Sequence, residues 1–451
     1  MNDLINTESG RKKSWKTTFL VLLASLAPSG FALEIHEWGT FTTLNSSTGN
    51  GLSGLFVDAS RLPAFVHGLP YFNYDPVSGW ASPDKLRNVT VKMETPVLYF
   101  YSDKEVDVDV KVKFQGGTIS QWYPQCYDCE ANPSAASVDF AKEPYQGHIA
   151  WKAKVLAPGS NLPYTTTALG GETGEWTAPR STLANQLRGQ QGEIEKFLFY
   201  RGLGNFTSAL QISFKNPGTL VLRNTGDEDI PWVMIYDRQG DLSYPASIWF
   251  QGPLKAHANI EAGKSTDDFP SYGPGTAAMD SLYNHLVVAG LSTQEARALL
   301  NTWYNGYFIE GGLKAFWILP RAQVDRILPL EITPMPDKIV RVIVGRSEIL
   351  SPAFEETLYK AKADDSLDAK YGTDKYFLAY HDFLAKGKDW HLATALDQSQ
   401  SRSPASDGAR NAWNGFGQRG RASPWFSRTG EAGGFVDLRG RAVRPASHPV
   451  R

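Results

Sequence analysis

Hydrophobic and polar positions alternate along much of the first 350 residues, as expected for strands with one buried face. The cleanest example is residues 106–114, where valines and a phenylalanine alternate with aspartates and lysines before Gly116. Successive side chains of a strand point to opposite faces, so this pattern predicts one buried and one solvated face. Residues 97–101 are continuously apolar after Pro96, which breaks the preceding run, and predict a fully buried strand.

Further predicted strands are short, rich in β-branched and aromatic residues, and bounded by Gly, Pro or Asn. They lie at residues 33–45, 88–94, 118–123, 148–155, 195–201, 210–214, 219–224, 232–236, 313–319 and 338–344. Short strands at this spacing favour a sandwich architecture. We therefore predict a mainly β fold with two β-sandwich-like, immunoglobulin-like modules, at residues 33–190 and 191–350. Residues 220–236 resemble an immunoglobulin-like hairpin.

Helical patterns appear only in the second half of the chain. Ser292 and Glu295 form a capping box, because each side chain can satisfy a backbone donor at the start of a helix. Together with residues 277–288 they predict a helical insertion at about 275–305 in the second module. Residues 351–390 are predicted to form a helical C-terminal segment.

The first 32 residues have the organisation of a secretion signal. Basic residues between positions 11 and 16 precede an apolar stretch at 19–27, and a small-x-small site ends at Ala32. The apolar stretch is shorter than the roughly 20 residues that span a bilayer, and no later segment is long enough. We predict cleavage after Ala32, a mature chain beginning at Leu33, and a periplasmic or secreted protein with no membrane span.

The tail at residues 391–451 changes in composition. From Gln398 it is rich in Arg, Gly, Ser and Pro, it contains no Lys, and it has no hydrophobic period. This composition predicts a disordered basic tail. It is also typical of a shifted reading frame in GC-rich DNA, and the two interpretations stay open.

The net charge and the aromatic content indicate which classes of partner fit the chain. The formal net charge of -2 argues against a nucleic-acid partner. Aromatic residues make up 12% of the chain, and in secreted β-proteins such residues also serve as stacking platforms for carbohydrate. A carbohydrate ligand therefore stays open, although we favour packing as the main role of the aromatics.

Cys126 and Cys129 are the only cysteines. In an oxidising compartment, a pair this close predicts a disulfide that closes a small loop. A redox pair favours a helix N-terminus, whereas the surrounding residues predict a loop. A zinc site would need further soft ligands, and the chain has no other cysteine. We therefore favour a structural disulfide.

Residues 36–42 read His-Glu-Trp-Gly-Thr-Phe-Thr, directly behind the predicted signal. This motif resembles that of a family of uncharacterised secreted bacterial proteins. The same family is marked by stretches like those at residues 93–100, 195–202, 319–321 and 340–346. The resemblance covers roughly residues 33–360, and it brings no activity, cofactor or site residue with it.

Several ionisable residues lie on or beside otherwise apolar strands. Each needs a partner, because burying an unpaired charge is costly. They are His36, Glu37, Glu94, Glu195, Arg201, Arg321 and Arg346, with Tyr200 nearby. A buried Arg–Glu network that fixes sheet packing is one interpretation. A functional site is the other.

Two kinds of site fit these residues. In the first, a polar ligand is bound by residues chosen from His36, Trp38, Tyr200, Arg201 and Arg346, or a divalent metal ion by His36 with Glu37 or Glu94. In the second, two of the carboxylates Glu37, Glu94 and Glu195 perform glycoside-type hydrolysis.

Strand geometry argues against one of these sites, the metal site that contains both His36 and Glu37. His36, Trp38 and Thr40 share one face of a regular strand and Glu37 lies on the other, so His36 and Glu37 do not readily hold one metal. We favour a non-enzymatic extracytoplasmic binding or structural protein with a polar pocket near His36 and Glu37. A secreted hydrolase is the alternative, and the sequence leaves open whether the protein is an enzyme.

Overall fold

The computed structural model describes most of the chain after Phe31. The described residues are 32–56, 62–69, 86–129, 138–142, 145–166, 174–238, 246–263, 276–400, 435–436 and 442–443. The predicted signal sequence before Ala32 and most of the tail beyond residue 400 lie outside them. The described chain is mainly β with a helical C-terminal region, as predicted.

The strands and helices are numbered in chain order. The strands are β1 Leu33–Asn45, β2 His67–Gly68, β3 Leu86–Arg87, β4 Val91–Ser102, β5 Val106–Gln115, β6 Gly117–Tyr123, β7 Asp128–Cys129, β8 Val138–Asp139, β9 Gln146–Val155, β10 Leu187–Gly189, β11 Ile194–Glu195, β12 Leu198–Gly204, β13 Leu210–Asn216, β14 Thr219–Asn224, β15 Ile230–Arg238, β16 Ala246–Leu254, β17 Asn259–Gly263, β18 Gly312–Ile318, β19 Leu330–Thr333, β20 Lys338–Ile349, β21 Phe435–Val436 and β22 Ala442–Val443. The helices are α1 Gly174–Thr177, α2 Thr276–Val288, α3 Thr293–Tyr304, α4 Arg321–Ile327, α5 Pro352–Ala363, α6 Leu367–Tyr371 and α7 Phe377–Gln400, with a 3-10 turn at Pro179–Ser181 and a π-helical turn at Asn305–Ile309.

One large sheet dominates the fold, and β1 lies near its middle. The order along its main path is β11-β10-β9-β6-β12-β4-β1-β20-β18-β15-β16. Strand β1 pairs antiparallel with β4 and parallel with β20, so His36 lies opposite Tyr99 on one side and Val340 on the other. Strands β5, β7, β2 and β19 join the same sheet off this path.

The two predicted sandwich modules are not confirmed. Strand β12 lies between β6 and β4, and β20 lies beside β1, so the sheet crosses the expected boundary at residue 190. The hairpin expected at residues 220–236 is wrong, because β14 pairs with β13 and β17 while β15 pairs with β16 and β18. Eight of the nine β15 residues are buried, which fits a strand inside a large sheet.

The break expected at Pro96 is also wrong, because β4 continues through it. The register of β1 against β4 shifts between Trp38 and Thr40, which is a bulge opposite the proline. A bulge tolerates the missing N–H of proline. At Gly39 an added Cβ would lie 2.8 Å from the Pro96 Cα, so the glycine of the motif permits this close approach.

Other local predictions are confirmed. Ser292 caps α3, and both halves of its capping box with Glu295 are present. Cys126 and Cys129 form a disulfide. Helix α7 runs to Gln400, ten residues beyond the expected end at 390, with non-helical backbone at Gly387. None of the helices in the described ranges is long and apolar enough to cross a membrane.

Two apolar clusters lie against the same face of the central strands. The first, which we call the α3 cluster, packs α2, α3 and the π-helical turn onto that face through residues such as Trp38, Tyr99, Phe199, Trp303 and Phe316. The second, the α5 cluster, packs Leu358 and Phe383 of the C-terminal helices against residues such as Leu44, Leu203 and Leu350. Each central strand therefore passes from one apolar cluster towards the other.

Polar and charged side chains occupy this face between the two clusters. On β20, Val342 and Val344 belong to the α3 cluster, Leu350 after the strand belongs to the α5 cluster, and Arg346 and Glu348 lie between them. The same interruption occurs on neighbouring strands, and we call the resulting set the charged band. Its members are Thr42, Lys92, Glu94, Lys314, Arg346 and Glu348.

Candidate functional site

His36 belongs to a hydrogen-bonded cluster at the start of α3. Its Nδ1 lies 2.9 Å from Glu295 Oε2, and the Tyr101 hydroxyl donates to Glu295 Oε1 at 2.8 Å. A carboxylate only accepts, so His36 carries a proton on Nδ1. Burial raises the pKa of Glu295, but the bonds from His36, the Ser292 N–H and Tyr101 outweigh it and hold the pKa below its usual value. His36 therefore anchors a helix to β1.

Glu37 points to the opposite face, as expected from strand alternation. Arg341 Nε donates to Glu37 Oε2 at 2.5 Å, and the Tyr200 hydroxyl donates to Glu37 Oε1 at 2.7 Å. Glu37 is fully buried, and the Arg341 side chain is 1% exposed. Arg341 Nη1 also donates to Asp325 on α4 at 2.8 Å. This geometry is that of a buried structural ion pair with several hydrogen bonds across it.

Glu195 lies in a third, separate cluster on β11. Arg180 Nε donates to its Oε1 at 3.0 Å, and Trp176 Nε1 donates to its Oε2 at 3.2 Å. The Glu195 side chain is fully buried. Its arginine partner and its burial again match a packing role.

Glu94 lies in the charged band. Its Oε1 is 2.9 Å from Lys92 Nζ, and Thr42 Oγ1 donates to its Oε2 at 2.7 Å. Burial raises the pKa of Glu94, but the positive charges of Lys92, Arg201 and Arg346 and the Thr42 bond lower it to about 2. Glu94 is thus a carboxylate held ionised by surrounding cations.

Arg346 is the buried centre of the band. Its Nε donates to Glu348 Oε1 at 2.9 Å, and its guanidinium also bonds to the same carboxylate through Nη2. The guanidinium lies 5.7 Å from the centre of the Tyr307 ring. A Cβ added at Gly306 in the π-helical turn would lie 2.8 Å from Arg346 Nη1. The π-helical turn therefore leaves room for this guanidinium.

Lys314 is a second fully buried cation of the band. Its Nζ donates to the carbonyl oxygens of Glu310 at 2.6 Å and Gly311 at 3.0 Å. Burial lowers its pKa to about 8, with Arg346 and Lys375 adding like-charge repulsion against the attraction of Glu348 and Glu310. Lys375 reaches the band from the C-terminal segment and donates to Glu310 Oε2 at 2.6 Å.

A pocket opens where the band meets the C-terminal segment. Its volume is about 290 Å³ including its open mouth. We call it the Arg346 pocket, and its lining residues are Thr42, Leu55, Lys92, Glu94, Arg346, Lys375 and Tyr376. Three of its side chains are basic and one is acidic.

A second pocket shares Lys92 with the first. It measures about 200 Å³, and Arg201, Ser120 and Phe56 are among its lining residues. Arg201 is buried. The structure thus brings Glu94, Arg201 and Arg346 into one neighbourhood on either side of Lys92.

The other predicted site residues lie elsewhere. Trp38 is fully buried in the α3 cluster, and Tyr200 is bound to Glu37 on the opposite face. Arg321 is exposed and pairs with Asp325 at 2.8 Å. Neither of the two pockets described above is lined by His36 or Glu37, and the Arg346 pocket lies farther along β1, at Thr42.

The metal site proposed for His36, Glu37 and Glu94 does not fit this geometry. His36 and Glu37 point to opposite faces, and Glu94 is bound to Lys92 and Thr42. No group of three or more His, Cys, Asp or Glu side chains that could hold a metal ion occurs within the described ranges.

Several residues of the charged band, the Arg346 pocket and the Glu37 ion pair were missed in the sequence. Lys92 and Lys314 had a local signal, because each is a lysine flanked by apolar residues on a buried strand. Arg341 had the same signal on β20. Lys375 and Tyr376 had none, since their contact with β4 and β20 depends on how the C-terminal segment packs.

Comparisons with known proteins do not assign a family. No protein-family model matches the chain, and no curated protein matches it. Among solved structures, a yeast delta-COP-I mu-homology domain complexed with a Dsl1 WxWxV peptide is similar at 7% identity and a TM-score of 0.24. The match covers 71% of this chain and 96% of that one. A likeness this weak carries no argument about fold or function.

We expect Arg341→Met to destabilise the protein strongly, because Glu37 would remain buried without its cation. The expected loss is about 3–5 kcal/mol in the free energy of unfolding, measured by urea denaturation. Arg321→Met is the control, because its exposed ion pair is worth only about 0–1 kcal/mol. Equal effects of the two substitutions would contradict a structural role for the Glu37–Arg341 pair.

We expect Glu94 to make the protein acid-sensitive. Its pKa in the folded state is about 2, against an ordinary value of 4.5. The unfolded chain therefore takes up a proton first, and this stabilisation is lost as pH falls from about 4.5 to 2. The wild type should lose about 1–3 kcal/mol more than Glu94→Gln over that window, as measured by denaturation at each pH. Parallel pH profiles would refute this assignment.

Proposed function

We propose that the protein is an extracytoplasmic, non-enzymatic binding protein that holds its ligand in the Arg346 pocket. The observation that carries the proposal is the position of this pocket. It lies on a sheet face that is otherwise covered by apolar clusters, and it is lined by charged side chains from β4, β20 and the C-terminal segment. Concave sites with a few convergent polar groups are typical of ligand binding.

The main competing interpretation is a purely structural ion network. Glu310 and Glu348 partner the cations Lys375 and Arg346 and thus stabilise the band without a ligand. A cleft with an open mouth at the centre of this network favours binding, since a network that serves packing alone has no need of a cleft.

The secreted hydrolase has less support. Glycoside hydrolysis needs two carboxylates facing one cleft. Glu37 and Glu94 point to opposite faces of the sheet, and Glu195 is enclosed with Arg180 and Trp176. Glu94 is the one candidate of these three that lines the Arg346 pocket.

The contacts of Leu33 support cleavage after Ala32 and hence export. The Leu33 N–H donates to Asp337 Oδ2 at 2.8 Å, and the Asp337 N–H donates to the Leu33 carbonyl at 2.9 Å. Cleavage would turn this N–H into an ammonium group beside a carboxylate, which strengthens the hydrogen bond. The new terminus would therefore be held in place on the sheet.

We expect a ligand of the Arg346 pocket to raise the thermal unfolding midpoint in a screen of neutral sugars, amino acids and organic acids. Lys375→Met should weaken binding of that ligand about tenfold, because it removes a charge-assisted contact of about 1.4 kcal/mol. Lys388→Met is the matched control, since Lys388 is an exposed lysine of the same segment that pairs with Glu356 and lies outside the pocket lining. A ligand that binds both variants equally would show that this pocket is not the site.

We expect N-terminal sequencing of protein exported by bacterial cells to begin at Leu33. In that mature chain, Asp337→Asn should lower stability by about 0.5–1 kcal/mol, because it removes the carboxylate charge beside the partly buried terminal ammonium group. The same substitution should cost less in a chain whose residue 32 is retained. A different first residue, or protein retained in the cytoplasm, would overturn the export proposal.

A further inference from the structure

We infer that the group recognised by the Arg346 pocket is a small oxyanion, such as a carboxylate or a sulfate-like group. This inference rests on the proposed function and specifies its ligand class. It follows from which charges face the pocket, from the size of the pocket, and from the cations packed behind it.

The basic side chains face the pocket while most of their acidic partners do not. Lys92, Arg346 and Lys375 line it, whereas Glu310 and Glu348 bind the latter two from outside the lining. The exception is Glu94, which is bound to Lys92 and Thr42. An oxyanion would therefore sit on the side of Arg346 and Lys375, away from Glu94.

The donors suit oxygen acceptors. A guanidinium presents several N–H groups in a planar fork that matches carboxylate and tetrahedral oxyanions, and an ammonium adds a point charge. Tyr376 also lines the pocket, and a phenol can both donate and accept hydrogen bonds. The enclosed part of the pocket has room for about one water-sized group, so it suits a charged end-group better than a sugar ring.

Proton uptake by Lys314 provides a measurable signal of anion binding. The charged groups that face it are Glu310 after the π-helical turn, Arg346 and Glu348 on β20, and Lys375 from the C-terminal segment. Its pKa is lowered to about 8, first by burial. An anion beside Arg346 and Lys375 offsets their repulsion and raises this pKa, so binding near pH 8.5 is accompanied by proton uptake.

The experiment is titration calorimetry of the full mature chain at pH 8.5 in two buffers that differ in ionisation enthalpy. Acetate and sulfate are the planar and tetrahedral probes, methyl glucoside is the neutral probe, and sodium chloride keeps the ionic strength constant. Binding of either oxyanion should take up several tenths of a proton, roughly the unprotonated fraction of a group with a pKa near 8. The probe that binds more tightly, planar acetate or tetrahedral sulfate, identifies the geometry of the natural end-group.

Two variants test whether the oxyanion binds in this pocket. Gly306→Ala retains every charge but displaces the Arg346 guanidinium, and it should weaken oxyanion binding at least tenfold. Gly51→Ala is the control, because its added Cβ would come no closer to a neighbouring side chain than 3.8 Å, at Asn45 Oδ1. Lys314→Met should abolish proton uptake, and Gly306→Ala keeps the test decisive if that variant fails to fold.

The outcomes separate the two proposals. Binding of methyl glucoside that depends on Lys375, without oxyanion binding, would overturn the oxyanion inference and leave the proposed function standing. Oxyanion binding that is the same in Gly306→Ala, or that chloride reproduces, would also overturn the inference. A chain that binds none of these probes and no member of the wider screen would refute both.

Discussion

The structure depends on one constraint: charged side chains on strands that are buried on both faces need partners. A buried charge must find a partner, because leaving it unpaired costs more than most single interactions supply. Strands β1, β4 and β20 are nearly fully buried, yet each carries ionisable residues. Glu37 with Arg341 and Glu94 with Lys92 meet this requirement across or along neighbouring strands. The helical elements also supply partners to the strands, since Glu295 on α3 pairs with His36 and Glu310 after the π-helical turn pairs with Arg346.

The two faces of β1 satisfy this constraint in different ways. On one face Glu37 is enclosed and accepts hydrogen bonds from Arg341 and Tyr200. On the other face the charged band lies between two apolar clusters, and a pocket remains at Arg346. The first arrangement is suited to holding the sheet together. The second combines a rigid sheet with side chains from a separate helical segment, which is how many proteins build a specific binding site.

Local patterns in the sequence predicted local structure well. The alternation at residues 106–114, the capping box at Ser292 and the disulfide between Cys126 and Cys129 each depend on neighbouring residues, and each is confirmed. The two-module architecture was not confirmed, because strand pairing such as β1 with β20 joins residues far apart in the chain. The pocket was predicted in part, through Glu94 and Arg346. Of its remaining charges, Lys92 had a local signal on β4, whereas Lys375 arrives through the packing of the C-terminal segment, which no local pattern encodes.

The parallel pairing of β1 with β20 also constrains the order of events in folding. Glu37 and Arg341 are 304 positions apart, and β1 leaves the ribosome long before its partner. Contacts of such sequence separation form slowly, because a long loop must close before the pairing stabilises it. The edge of β1 that pairs with β20 therefore stays unpaired until nearly the entire described sheet has been synthesised. Until then, Glu37 lacks Arg341. This topology favours a sheet whose final pairing forms only when synthesis of the described chain is nearly complete.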